Sequence, residues 1–106
     1  MFFYMVMSNP VDGQEDEFNH WYDTTHIPEI TALEGFADAR RYRMSDRRED
    51  QAGFEGYRYV CIYELEGDDP MATLARLAAA REAGSTTPTD AVSRDPAPRA
   101  VLFERI

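Results

Sequence analysis

Lysine is absent from this chain: all 11 basic residues are arginine. That excludes Schiff-base chemistry, a lysine general base and a phosphate-loop lysine. Cys61 is the single cysteine, so no disulfide closes within the chain and no thiolate cluster holds a metal. His20 and His26 are the only histidines, which excludes a three-histidine metal site within one chain. Long hydrophobic runs are missing too. The apolar start, Met1 to Met7, spans seven residues with no basic residue before it, unlike a signal peptide. Nothing approaches the roughly 18 apolar residues of a membrane span. Positive charge is scarce, 11 basic residues against 20 acidic for a net of −9, which disfavours nucleic acid and anionic membrane as partners. The expectation is a soluble, cytoplasmic protein with no metal site.

What is present suits one folded domain spanning residues 1–106. Apolar residues make up 43% and charged residues 29%, close to the globular average, so disorder of the whole chain is not expected. Residues 2–8 read as a strand apolar on both faces. Asn9 to Gly13 supply turn chemistry. Glu15, Asp16 and Glu17 suit the first turn of a helix over about 14–26. Pro28 interrupts that helix, a short turn continues to Leu33, and Gly35 closes the segment. Residues 36–45 form a second strand, poorly alternating because arginines are scattered through it. Residues 46–56 are a polar hairpin connection. Residues 57–65 are rich in β-formers. Asp69 and Pro70 start a helix over 70–83, with Met71, Leu74, Leu77 and Ala78 at helical spacing. Residues 85–99, with three prolines, make a loop of about fifteen residues, longer than most. It reads either as a lid or arm, or as a solvated connection. Residues 100–105 are the last strand.

The order β-α-β-β-α-β predicts an α+β, ferredoxin-like domain: a four-stranded antiparallel sheet with two main helices on one face. The first and third strands are apolar on both faces. One set faces the helices and the other needs a cover, which a homodimer joined sheet to sheet supplies.

The segment Phe18-Asn19-His20-Trp21-Tyr22-Asp23-Thr24-Thr25-His26-Ile27-Pro28-Glu29 resembles one found in the dimeric α/β-barrel superfamily, nearest to its EthD-type proteins. Gly35-Phe36, Arg40-Arg41-Tyr42 and the strand Tyr59 to Leu65 are similar to the same group, so the resemblance covers about residues 2–83. It implies a dimeric α/β barrel and a histidine at the position of His26. It does not select a reaction, since related barrels include cofactor-free monooxygenases, cyclases, isomerases and haem-binding enzymes.

Helical geometry places Phe18, Trp21, Tyr22 and Thr25 on one arc, with His26 at its edge and His20 roughly opposite. His26 is the candidate general acid or base in a mostly apolar pocket, its imidazole titrating near neutral pH. The other reading is a structural histidine that caps the helix or bonds Asp23 or Glu29. Trp21 and Tyr22 either wall a substrate pocket or simply fill the core. Tyr57, Tyr59, Cys61 and Tyr63 share one strand face. Turned toward the helices, a tyrosine there steadies a developing oxyanion, with Tyr59 the candidate catalytic partner and Tyr63 a substrate contact. Turned toward a second copy, the same rings are interface aromatics. Val60 and Ile62 suit a dry interface better, which favours the first arrangement. Cys61 reads as an inert buried thiol. The arginines at 40, 41, 43, 47 and 48 either clamp an anionic substrate or pair with nearby carboxylates. Arg40 shares the face of Tyr42 and is the candidate substrate contact among them. These residues outline a cofactor-independent enzyme acting on an aromatic, polyketide-like or carbonyl-containing small molecule by proton transfer through His26. Cyclase, isomerase and monooxygenase chemistry all fit. The alternative is a homodimer that binds a small molecule or assists an enzyme without turnover.

Overall fold

The computed structural model describes residues 1–51 and 54–106. The chain runs β1 (Phe2–Ser8), α1 (Glu15–Trp21), a π-helical stretch (Tyr22–His26), α2 (Ile27–Thr31), β2 (Phe36–Arg43), β3 (Tyr59–Leu65), α3 (Pro70–Glu82) and β4 (Arg99–Glu104). The strands form one sheet in the order β2-β3-β1-β4, with every neighbouring pair antiparallel. This is the α+β, ferredoxin-like arrangement that the element order predicts. Part of the 46–56 connection, residues 52 and 53, lies outside the described residues.

Alternation fixes the two faces of the sheet. On one side Tyr59, Cys61, Tyr63 and Leu65 of β3 stand beside Ser8, Val6, Tyr4 and Phe2 of β1. This side packs on Phe18, Tyr22, Ile30 and Leu77 from the helices, and together they form the core. The β3 tyrosines therefore face the helices. The other side, with Phe3, Met5, Ile62 and Phe103, has no helix over it among the described residues; Phe103 is 47% exposed and Tyr42 51%.

Two departures from regular geometry decide where side chains point. The first is in the helix. The sequence predicts a break at Pro28, yet the backbone stays helical from Glu15 to Thr31. Proline lacks an N–H and crowds the carbonyl four residues earlier, here that of Thr24. The chain answers by widening: the Ile27 N–H donates to Tyr22 O, five residues back, and Thr24 Oγ1 donates to the His20 carbonyl at 2.6 Å. The widening also corrects the phase. Over the twelve residues from Phe18 to Ile30 an unbroken α-helix drifts about 120°. Phe18 and Ile30 nevertheless share the core, 0% and 1% exposed.

The second departure is in β2. Phe36 pairs with Leu65 and Asp38 with Glu64, so Ala37 is surplus and makes a bulge. After it, Ala39 and Arg41 share the side of Tyr63 and Cys61, while Arg40 and Tyr42 share that of Ile62 and Val60.

Gly35 closes the helical segment with φ +97°, and a β-carbon there would sit 2.3 Å from Thr73 Oγ1. Only glycine allows both that backbone and that approach of α3. Asp69 caps α3 by accepting from the Ala72 N–H at 3.1 Å, with Pro70 in the first turn.

Residues 85–98 form a docked strap. Val11 N–H donates to Ala91 O and Ser93 N–H to Asn9 O. Thr87 is held three ways: its N–H and Oγ1 donate to the two Glu29 carboxylate oxygens at 2.9 and 2.8 Å, and its carbonyl accepts from Trp21 Nε1 at 2.9 Å.

Candidate functional site

A cavity of about 110 Å³ lies between the helices and the sheet, beneath the strap. Its walls are apolar: Val6, Ile30, Leu77, Val92 and Pro98. Its polar lining comes from Tyr22 and His26 on the widened helix, Tyr4 and Tyr63 on neighbouring strands, and Arg81 on α3; Trp21 completes the rim.

His26 is the last residue of the π-helical stretch. Its ring is stacked on Trp21 and meets the Tyr22 ring edge-on at 5.2 Å. Its Nδ1 is buried and has no hydrogen-bond partner among the described residues. Burial, reinforced by the positive charge of Arg81 and partly offset by Glu29, pushes its pKa down to about 4. The expectation of titration near neutrality is thus corrected: at pH 7 the imidazole is neutral and keeps a lone pair, at reduced basicity.

Tyr63 is 2% exposed, and its hydroxyl likewise has no partner among the described residues. Burial drives its pKa up, so it remains a phenol and a hydrogen-bond donor. The Tyr22 hydroxyl lies 3.4 Å from Ser8 Oγ, and burial raises its pKa also. The Cys61 thiol is pushed up to about 11 by burial, which leaves it un-ionised and a poor nucleophile.

Of the six residues singled out from the sequence, the structure brings His26, Trp21, Tyr22 and Tyr63 to this cavity. It does not bring Tyr59 or Arg40. Phe18 stands between Tyr59 and Tyr22, its ring centroid 5.1 Å from each. The Tyr59 hydroxyl donates to the Glu15 carboxylate, and the ring borders a separate recess with Asn19, Arg41 and Arg43. Arg40 lies on the uncovered side, beside Asp38 at 3.2 Å, because the bulge at Ala37 turns it away. Arg41 takes the inward position instead. It donates to Asp23 Oδ1 at 2.9 Å and Asn19 Oδ1 at 2.7 Å, with its guanidinium 4.6 Å from the Tyr22 ring centroid. It ties β2 to the helix and steadies Tyr22.

Arg81 escaped the sequence reading, although a signal was there. Thr73, Leu77 and Arg81 are spaced by four on α3, and the first two are buried. The cation occupies the next position of an inward-facing stripe. Among the described residues no group of three His, Cys, Asp or Glu is placed to hold a metal ion, and no helix is long and apolar enough to cross a membrane.

The sheet and its helices have an EthD-like α+β fold. An EthD-family protein from Bacillus halodurans superposes with a TM-score of 0.66 over 100% of both chains at 13% identity, a likeness of fold alone. Residues 1–81 match the family described as "Domain of unknown function (DUF4286)", and the chain belongs to that family. No curated protein matches the sequence.

Proposed function

We propose that this protein is a small enzyme that moves a proton on a carbonyl-containing molecule, held in the cavity of His26 and Tyr63. One observation carries this reading: His26 and Tyr63 line the same cavity, and each holds a buried polar atom, His26 Nδ1 and the Tyr63 hydroxyl, without a partner among the described residues. An unpaired buried polar group costs about 1–3 kcal/mol. A pair of them in one small cavity is accounted for if a ligand supplies the missing contacts.

The step needs no co-reactant. His26 Nδ1 takes a proton from the carbon beside a carbonyl, becoming imidazolium, and the C–H electron pair moves into an enolate. The Tyr63 O–H donates to the enolate oxygen. Return of the proton to a different carbon isomerises the molecule; attack of the enolate carbon on a second carbonyl of the same molecule forms a C–C bond and closes a ring, the C=O π pair going to an alkoxide that takes the proton back from the His26 imidazolium. A base this weak suits an already acidified carbon, such as one between two carbonyls. The volume favours compounds of a few heavy atoms, since drug-sized ligands occupy about 300–1,000 Å³. A polyketide-sized substrate requires Val92 and Pro98 to move outward.

The protein works, in this reading, without a cofactor, in the cytoplasm, and as a homodimer. The uncovered side of the sheet supports the last point. Phe3, Met5, Ile62 and Phe103, with Asp38, Arg40 and Glu64, line a shallow depression there. Copies related by a two-fold axis bury the apolar residues and can match Arg40 to an acid.

The low pKa of His26 favours a second reading, binding without turnover. Thermal melts of wild type and His26→Ala with small ketones, lactones and phenols test for binding. Deuterium exchange at the carbon beside the carbonyl tests for chemistry. Stabilisation with exchange that His26→Ala abolishes supports the enzyme. Stabilisation without exchange supports the binder, and no stabilisation overturns both.

A further inference from the structure

We propose that the cavity selects a small monocarboxylate, with Arg81 as the residue that recognises its charge. This rests on the reading of the cavity as a small-molecule site.

The chain carries 20 acidic residues against 11 basic, yet the eleven residues lining the cavity include one arginine and no carboxylate. With His26 neutral, the lining has a net charge of +1. Arg81 lines the cavity while remaining exposed, as a long side chain does when its stem covers apolar surface and its head stays near water. Its charge acts on three of the rings that line the cavity, those of His26, Tyr22 and Tyr63. Among the described residues Arg81 forms no ion pair, whereas Arg40, Arg41, Arg48, Arg76 and Arg99 each do. Glu29, the acid whose charge also reaches His26, has both carboxylate oxygens engaged by Thr87.

The lining sets the Arg81 guanidinium and the phenol of Tyr63 among apolar walls. A guanidinium binds a planar carboxylate with two parallel N–H···O bonds. The hydroxyl of Tyr63, a residue 2% exposed, has no partner among the described residues and is the second contact, for an oxygen of the ligand. One arginine matches one negative charge, not a phosphate dianion. A volume of about 110 Å³ is below the roughly 150 Å³ of a cavity that holds benzene, which limits the body to a short chain.

Crotonate and crotonamide make the test, being alike in size and shape but not in charge. Each is titrated by NMR into isotopically labelled wild type and Arg81→Met, following the Trp21 indole N–H and the backbone amides of Leu77 and Val92. Met keeps most of the apolar stem, and the exposed position makes a folded variant the expected result. In wild type crotonate should bind at least about tenfold tighter than crotonamide, the size of one charge-assisted hydrogen bond. Arg81→Met should remove that difference and leave crotonamide unchanged. Equal binding of the two probes in wild type, or undiminished preference for crotonate in Arg81→Met, overturns the assignment while leaving the small-molecule site standing. Failure of both probes to move these signals at tens of millimolar overturns the site as well.

Discussion

The imidazole of His26 lies flat on the indole of Trp21, ring centroids 4.3 Å apart and planes inclined by 18°. The same indole donates its N–H to the Thr87 carbonyl. One aromatic side chain thus touches both the candidate base and the strap over the cavity.

The His26 environment makes stability depend on pH. Its folded pKa of about 4 lies below the ordinary 6.5, with Arg81 and Glu29 the charged groups facing it. Between those values the unfolded chain binds a proton that the folded chain does not. Stability contributed by neutral His26 is therefore complete above pH 6.5 and falls as pH drops toward 4, at up to about 1.4 kcal/mol per pH unit. Urea unfolding of wild type and His26→Phe at several pH values checks this. The variant should lack that slope, and parallel curves would contradict the prediction.

Tyr63→Phe should make the protein more stable, by about 1 kcal/mol, because it deletes a buried hydroxyl without a partner. The same change should abolish any ligand-induced rise in melting temperature. Gain of stability with loss of binding is the mark of a polar group kept for a ligand. Calorimetry with and without ligand reads both.

Gly35→Ala should cost about 2 kcal/mol or more. The new methyl meets Thr73 Oγ1 at 2.3 Å on a backbone with φ +97°. Denaturant midpoints measure this directly, and Thr73→Ala in the same background should recover part of the loss by making space.

Ile62→Arg should separate the proposed dimer. Ile62 lines the uncovered side of the sheet, where an added cation is costly to bury against a second copy. Light scattering after gel filtration should report two chains for wild type and one for the variant, with the circular dichroism of the fold unchanged. A wild-type monomer would remove the dimer from the proposal.

Much of this was legible in residue patterns. Turn residues delimit β1, β-formers mark Tyr59 to Leu65, and Asp69-Pro70 announces α3. The position of His26 beside Trp21 and Tyr22 was legible too, though Pro28 suggested a break where the chain widens instead. Hydrogen bonds five residues apart leave little trace in composition, because the residues remain ordinary helix and cap formers. Arg40 was misplaced because alternation counts residues without seeing a bulge, and Phe36-Ala37-Asp38 contains no glycine to signal one. The shift of the His26 pKa arises first from burial and then from Arg81 on α3, and only the packed fold supplies both.

Ala37 acts through position rather than through its side chain. It adds one residue to β2 opposite none in β3. Were Ala37 kept but drawn into the regular ladder opposite Glu64, each later side chain of β2 would change sides: Arg40 and Tyr42 would turn inward, while Arg41 would leave Tyr22, Asp23 and Asn19 for the outer surface. Deleting Ala37 would do the opposite, leaving a regular edge strand with every later residue opposite its present partner in β3. The faces of β2 thus follow the count of paired residues, not the count of residues.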